Sequence, residues 1–171
     1  KDLGLAEMRV LWTPLDAADR LAAVASGRVD IECGTTTTTL TRMKAVDFSL
    51  PIFVDGGSVL VRAKSKIRRL SDLVGKRVAV IGGTTTEEAI VRALNALGGT
   101  AILLPVKDAA EGMRELVRGN VDAYAADRVV LARQRQRQAR PTDFEFIDGD
   151  FSFEPYALVM GREDPEFRLI V

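Results

Sequence analysis

Between residues 76 and 127 the chain alternates short apolar strands with amphipathic helices, and that alternation restricts its fold more than any other feature. Residues 76–81, KRVAVI, read as a buried strand, and Gly82-Gly83 as a tight turn. Residues 84–97 follow as a helix with Ile90, Leu94 and Leu97 on one face, and Thr84 with Glu87 has the spacing of a capping box. Residues 101–105 form the next strand. Asp108 then caps a second helix that buries Met113, Leu116 and Val117 and stops at Gly119. A third strand, residues 121–126, ends at Asp127. Strands joined through helices run parallel and are covered on both faces, so the expected class is α/β.

The flanking segments carry pieces of a second such unit. Residues 8–12, from Met8, read as a strand; Asp16 caps a helix with Leu21, Val24 and Ala25 on one side and Gly27 past its end. A strand at 29–33 leads into five consecutive threonines, Thr35 to Thr39, then Arg42, and a further strand begins at Phe48. Residues 48–61 are nearly continuously apolar but broken by Pro51 and Asp55-Gly56-Gly57, as expected where a chain leaves one sheet and enters another. A polar stretch at 62–69 precedes a short helix capped at Ser71. Beyond Pro141, residues 144–147 and 156–160 read as strands, and REDPEF opens a helix. The expected organisation is a partial first lobe at 1–56, a second lobe at 57–156, and a return strand and helix start at 157–171.

Composition removes several classes of function. Lys+Arg and Asp+Glu stand at 24 each, so no net charge favours nucleic acid, and the run RQRQRQAR reads as a solvated helix end. No apolar run is long enough to span a bilayer, and no charged-then-apolar leader is legible. The absence of histidine excludes Ser/His and Cys/His nucleophile pairs and HExxH zinc sites, and no cofactor is implied. The single cysteine, Cys33, reads as an inert residue of an apolar strand.

Chemistry concentrates in residues 30–49, DIECGTTTTTLTRMKAVDFS. A strand stops at Gly34, hydroxyls follow, and one arginine stands beside them. A guanidinium fork matches a carboxylate, and threonine hydroxyls and loop amides supply further hydrogen bonds, so this is a candidate anion site. The start of the helix at Thr84-Thr85 offers free amides to an anion. Asp127 lies at a strand end, where open α/β sheets bind ligands, although a lone aspartate there also serves as a helix cap. Phe53 and Tyr156 read as hinge packing or as a pocket wall.

The order DIECGTTTTTLTRMKAVDFS, GKRVAVIGGTTTEEAI, VKDAAEGMRELVRGNVDAYAADRVVL and EPYALVMGREDPEF resembles the periplasmic solute-binding proteins of amino-acid ABC importers, family 3, and most closely their glutamate/aspartate-binding branch. The resemblance runs through essentially all 171 residues. It implies the periplasmic-binding-protein-like type II fold: two Rossmann-like lobes joined by a hinge, with lobe one incomplete. It further implies a non-enzymatic receptor that closes on a free amino acid for delivery to a membrane permease from the periplasm. On this resemblance Thr35, Thr37 and Arg42 hold the α-carboxylate from lobe one. Thr85 meets it from lobe two, Asp127 takes the ammonium, and Arg20 reaches the ligand side chain. Ala17 and Ala109 replace a serine and a histidine of the family pattern, which thins the side-chain contacts and leaves the identity of the amino acid open. Two alternatives share the fold. One is a cyclohexadienyl dehydratase using Asp127, Glu154 or Asp55 as general acid, and the other is an extracellular sensing domain.

Overall fold

The computed structural model describes residues 9–171. In chain order, α1 (Arg20–Ala25), β1 (Ile31–Glu32), β2 (Asp47–Phe48) and β3 (Phe53–Asp55) lead into β4 (Gly57–Arg62). Then come β5 (Arg77–Ile81), α2 (Thr85–Ala96), β6 (Ile102–Val106), α3 (Ala109–Arg118), β7 (Ala123–Asp127) and α4 (Arg128–Gln136). The chain closes with β8 (Phe144–Phe146), β9 (Glu154–Tyr156), β10 (Val159–Met160) and α5 (Pro165–Ile170).

The strands form three sheets. The largest has the order β6-β5-β7-β4-β8, with β5 parallel to both β6 and β7 and with β4 antiparallel to β7 and β8. The smallest pairs β3 with β9, and a three-stranded sheet places β10 between β1 and β2. Sequence-distant strands therefore build the smaller sheets, and the chain passes between the two larger ones twice, through β3 and through β9.

Alternation along β7 explains why the large sheet is covered on both faces. Ala123 and Ala125 point to one side and pack with Val59, Val78, Ile90 and Leu94, beneath α2. Tyr124 and Ala126 point to the other and pack with Leu60, Met113, Leu116 and Leu131, beneath α3 and α4. Gly112 lets α3 lie on the Tyr124 ring, since a Cβ there would stand 2.5 Å from the ring's Cε2. A separate cluster of Val24, Val46, Phe48, Ala157 and Val159 serves the three-stranded sheet.

Several expectations are corrected. Met8 lies outside the described residues, and 9–12 form no strand: Leu11 and Trp12 are exposed and pair with no strand among the described residues. Helix α1 begins at Arg20, and it is Ala23 and Val24 that are buried, while Ala25 faces solvent. Val117 and Leu97 are half exposed; in α3 the buried positions are Gly112, Met113 and Leu116, the i, i+1, i+4 set that one helix face allows. Cys33 lies past the end of β1 and is exposed, not a core residue. The short turn at Leu70–Leu73 is capped by the Asp72 carboxylate, which accepts from the amides of Arg68 and Arg69, and Ser71 does not cap it. The expected caps of α2 and α3 are present: Thr84 and Asp108 accept from the amides of Glu87 and Glu111 at 3.3 and 2.7 Å.

Candidate functional site

The threonine loop is held by the main chain of the returning strand. Thr38 N–H donates to the Pro155 carbonyl at 2.8 Å, Ala157 N–H donates to the Thr36 carbonyl at 3.2 Å, and Thr37 bridges antiparallel to Tyr156. With the backbone so fixed, each side chain has a separate direction. The Thr36 hydroxyl donates to Glu32 at 2.7 Å, and the Thr37 hydroxyl donates to Glu154 Oε2 at 2.6 Å. Thr39 accepts from the Arg42 amide at 3.1 Å, which starts the turn carrying Arg42. The Arg42 guanidinium folds back and donates to the Thr37 carbonyl at 2.8 Å. Burial lowers its pKa and the nearby Arg20 cation lowers it further, while Glu154, Glu88 and Asp127 act in the opposite direction.

The large sheet presents two threonines and an aspartate to the same region. Thr85, the first residue of α2, donates to Glu154 Oε2 at 2.9 Å and stands 3.3 Å from the Thr37 hydroxyl. The two sheets thus touch across this point through hydroxyl groups. Thr86 donates to Asp127 Oδ1 at 2.7 Å, and the Tyr156 hydroxyl donates to the other oxygen of Asp127.

Asp127 does not cap α4 with its side chain. Asp55, from β3, accepts from the Val129 amide at 2.9 Å and takes that role. Arg128 turns away to Asp150 at 2.9 Å and lies over the Phe146 ring. Asp127 is therefore left facing the cleft with only hydroxyl partners. Burial raises its pKa; the bonds from Tyr156 and Thr86 act against this, and the like charges of Glu154 and Asp55 reinforce it. Neither Asp127 nor Arg42 forms a salt bridge with a described residue.

Two recesses flank the Thr37–Thr85 contact, and Thr85 lines both. The smaller, about 60 Å³, is walled by Ala17, Arg20, Thr35, Thr84, Thr86 and Asp127 among others. The larger, about 460 Å³, lies on the side of Thr37, Arg92, Ser152 and Glu154. Of the residues singled out in the sequence, Arg20, Thr35, Thr85 and Asp127 share the smaller recess. Thr37 lines only the larger one, and Arg42 lines neither, its guanidinium being engaged by the Thr37 carbonyl. Arg20 stands 3.9 Å from Glu32, and its buried Nε has no hydrogen-bond partner. Ala17 lines the recess, whereas Ala109 opens α3 away from it.

Sequence reasoning missed Thr86 and the hydroxyl of Tyr156, and named Glu154 and Asp55 only as acids for an enzymatic alternative. No local signal marks Glu154 as a junction residue, because the two threonines it joins are 117 and 69 residues away. Phe53 and Tyr156 do stack on the paired strands, with ring centroids 5.9 Å apart. Tyr156 additionally joins Asp127 to Asp55, its hydroxyl lying 3.2 Å from the latter.

Two sheets, connected through the paired strands β3 and β9, thus bring polar groups from distant parts of the chain together at one junction. Residues 1–170 match the model of the bacterial extracellular solute-binding proteins, family 3, and the chain belongs to that family. Among its relatives is the L-glutamate/L-aspartate-binding protein of Pseudomonas aeruginosa, 33% identical over 172 aligned positions, which cover 100% of this chain and 57% of that protein. The glutamate/aspartate import solute-binding protein of Salmonella typhimurium is 31% identical with the same two coverages. Both names are those of binding proteins and not of enzymes. The chain therefore spans little more than half the length of these relatives. In three dimensions it resembles the ABC transporter/periplasmic binding protein from Brucella ovis with glutathione bound. That likeness has a TM-score of 0.86 at 28% identity and covers 91% of this chain and 50% of the other. The periplasmic-binding-protein fold of type II expected from the sequence is thus the fold observed. Among the described residues no helix is long and apolar enough to cross a membrane.

Proposed function

We propose that the protein binds a free L-amino acid, polar or acidic, between its lobes and delivers it in the periplasm to the membrane permease of an ABC importer. The observation that carries this reading is a pair of opposite charges, Arg42 on the smaller lobe and Asp127 on the larger, neither of them ion-paired with a described residue. An α-amino acid is a zwitterion. Desolvating it requires donors for the carboxylate and an acceptor for the ammonium. Arg42, with the threonine loop and the first amides of α2 at Thr85, supplies the first, and Asp127 supplies the second. The region is divided at residues 56 and 156, and closure about β3 and β9 brings the two half-sites together. In this reading Thr35 serves the carboxylate with the rest of the threonine loop, and Arg20, which walls the smaller recess beside it, meets the ligand side chain. The guanidinium of Arg42 must swing from the Thr37 carbonyl or share its remaining N–H groups with the ligand.

The ligands in the names of the relatives and of the solved structure fit one requirement. Glutamate, aspartate and the γ-glutamyl end of glutathione all present a free α-ammonium beside an α-carboxylate. The test is a thermal-shift and calorimetric screen of the full chain against the twenty amino acids and glutathione, repeated with Arg42→Ala. The expected result is a stabilising amino acid whose binding is lost in the variant. Undiminished binding by Arg42→Ala, or stabilisation by none of the compounds, would overturn the assignment.

A further inference from the structure

Glu154 is 2% exposed, forms no salt bridge with a described residue, and accepts hydrogen bonds from three hydroxyls, two of them on distant segments of chain. Its Oε2 takes the hydroxyl protons of Thr37 at 2.6 Å and Thr85 at 2.9 Å, one from each lobe. Its Oε1 takes the Ser152 hydroxyl proton at 2.6 Å, and the Ser152 oxygen in turn accepts from the Gly57 amide at 2.9 Å. Gly57 makes that chain possible, since a Cβ there would stand 2.5 Å from the Ser152 oxygen. A buried carboxylate in a low-dielectric junction is costly unless its lone pairs are filled, and here three hydroxyls fill them.

We propose that Glu154 is the positioning residue of the Thr37–Thr85 contact beside the ligand: it holds the two threonines together across the lobes and fixes the direction of their hydroxyl protons. This rests on the reading above, in which those threonines meet the ligand. A threonine hydroxyl has one proton and two acceptor lone pairs. With both protons committed to Glu154 Oε2, the two oxygens face the ligand only as acceptors. The ligand carboxylate is then held by main-chain N–H groups of the loop and of α2 and by Arg42, while the threonine oxygens are suited to a ligand N–H. Glu154 thereby favours the closed arrangement before any ligand arrives, and it disfavours a carboxylate oxygen placed against either hydroxyl.

Glutamine can reproduce this arrangement. Its amide oxygen replaces Oε2 toward the threonines, and its NH₂ donates to the Ser152 oxygen, whose own proton is then free. Alanine cannot. In titration calorimetry of the full chain with L-glutamate, L-glutamine and L-arginine as probes, Glu154→Ala should weaken binding about tenfold, the worth of two bridging hydrogen bonds. Glu154→Gln should bind within about threefold of the unaltered protein by the same accounting. Adding Thr85→Val to Glu154→Ala should weaken binding by less than the product of the two single effects, because both remove one clasp. A purely structural role predicts lowered unfolding temperatures with unaltered affinities, or effects that multiply. Wild-type affinity in Glu154→Ala, or multiplicative losses in the double variant, would overturn the proposal. If Glu154→Ala does not fold, a tenfold loss in Glu154→Gln does so alone. Binding of no amino acid by the unaltered protein would instead overturn the functional reading on which the proposal rests.

Discussion

Replacing Asp127 by asparagine separates what the site does for binding from what it costs the fold. The carboxylate is largely buried, and its partners are the hydroxyls of Thr86 and Tyr156, with no cation among the described residues paired to it. Its pKa is raised by burial, so between the ordinary carboxylate value and the raised one the folded chain holds a proton that the unfolded chain has lost. Stability from this group therefore falls as pH rises through that window, and at neutral pH the ionised form is a net burden. Asparagine removes the charge and keeps an oxygen for Thr86. The variant should unfold at a higher temperature than the parent at pH 7 without ligand, and the gap should narrow as pH falls toward the ordinary carboxylate range. Binding should move the other way. Leaving a buried ammonium without its counter-charge costs about 2–5 kcal/mol, or roughly thirtyfold to a few thousandfold in affinity. Thermal unfolding from pH 4 to 8 and calorimetric titration with the selected amino acid measure both. A variant that unfolds earlier at pH 7 and still binds within about threefold would refute the ammonium assignment and the account of the buried charge together.

Arg42→Ala should cost about 2–5 kcal/mol in amino-acid affinity by the same argument, and Arg42→Lys should recover only part of it because a point charge cannot grip a carboxylate bidentately; calorimetry reads both. Tyr156→Phe deletes the hydroxyl shared by Asp127 and Asp55, and chemical denaturation should show a loss of about 1–3 kcal/mol. Gly112→Ala would normally gain up to about 1 kcal/mol of helix propensity, but the contact with Tyr124 should reverse the sign and leave a net loss of about 1–2 kcal/mol. A rise in unfolding temperature for Gly112→Ala would mean that α3 shifts freely on the sheet.

The repeating strand and helix of residues 76–127 were legible because each element announces itself locally. Thr84 and Asp108 cap helices through amides only three residues on, Gly119 takes the left-handed conformation that ends α3, and residues 78–81 are apolar on both faces. The threonine loop, Arg42, Thr85 and Asp127 stood out for the same reason: strand ends and helix starts expose groups whose chemistry is readable without knowing what lies opposite. Arg42 shows the limit of that reading, since its position was found and its orientation toward the Thr37 carbonyl was not.

What tertiary structure alone decided is pairing at long range. Asp127 does not cap α4, because Asp55, 74 residues from Val129, accepts from that amide in its place. Glu154 is a junction residue only because β9 returns beside the threonine loop and brings it to Thr37 and Thr85. A sequence fixes the local conformations whose hydrogen bonds close within a turn. The meeting of groups a hundred residues apart depends on how sheets stack and where the chain crosses between them, and no local pattern encodes that.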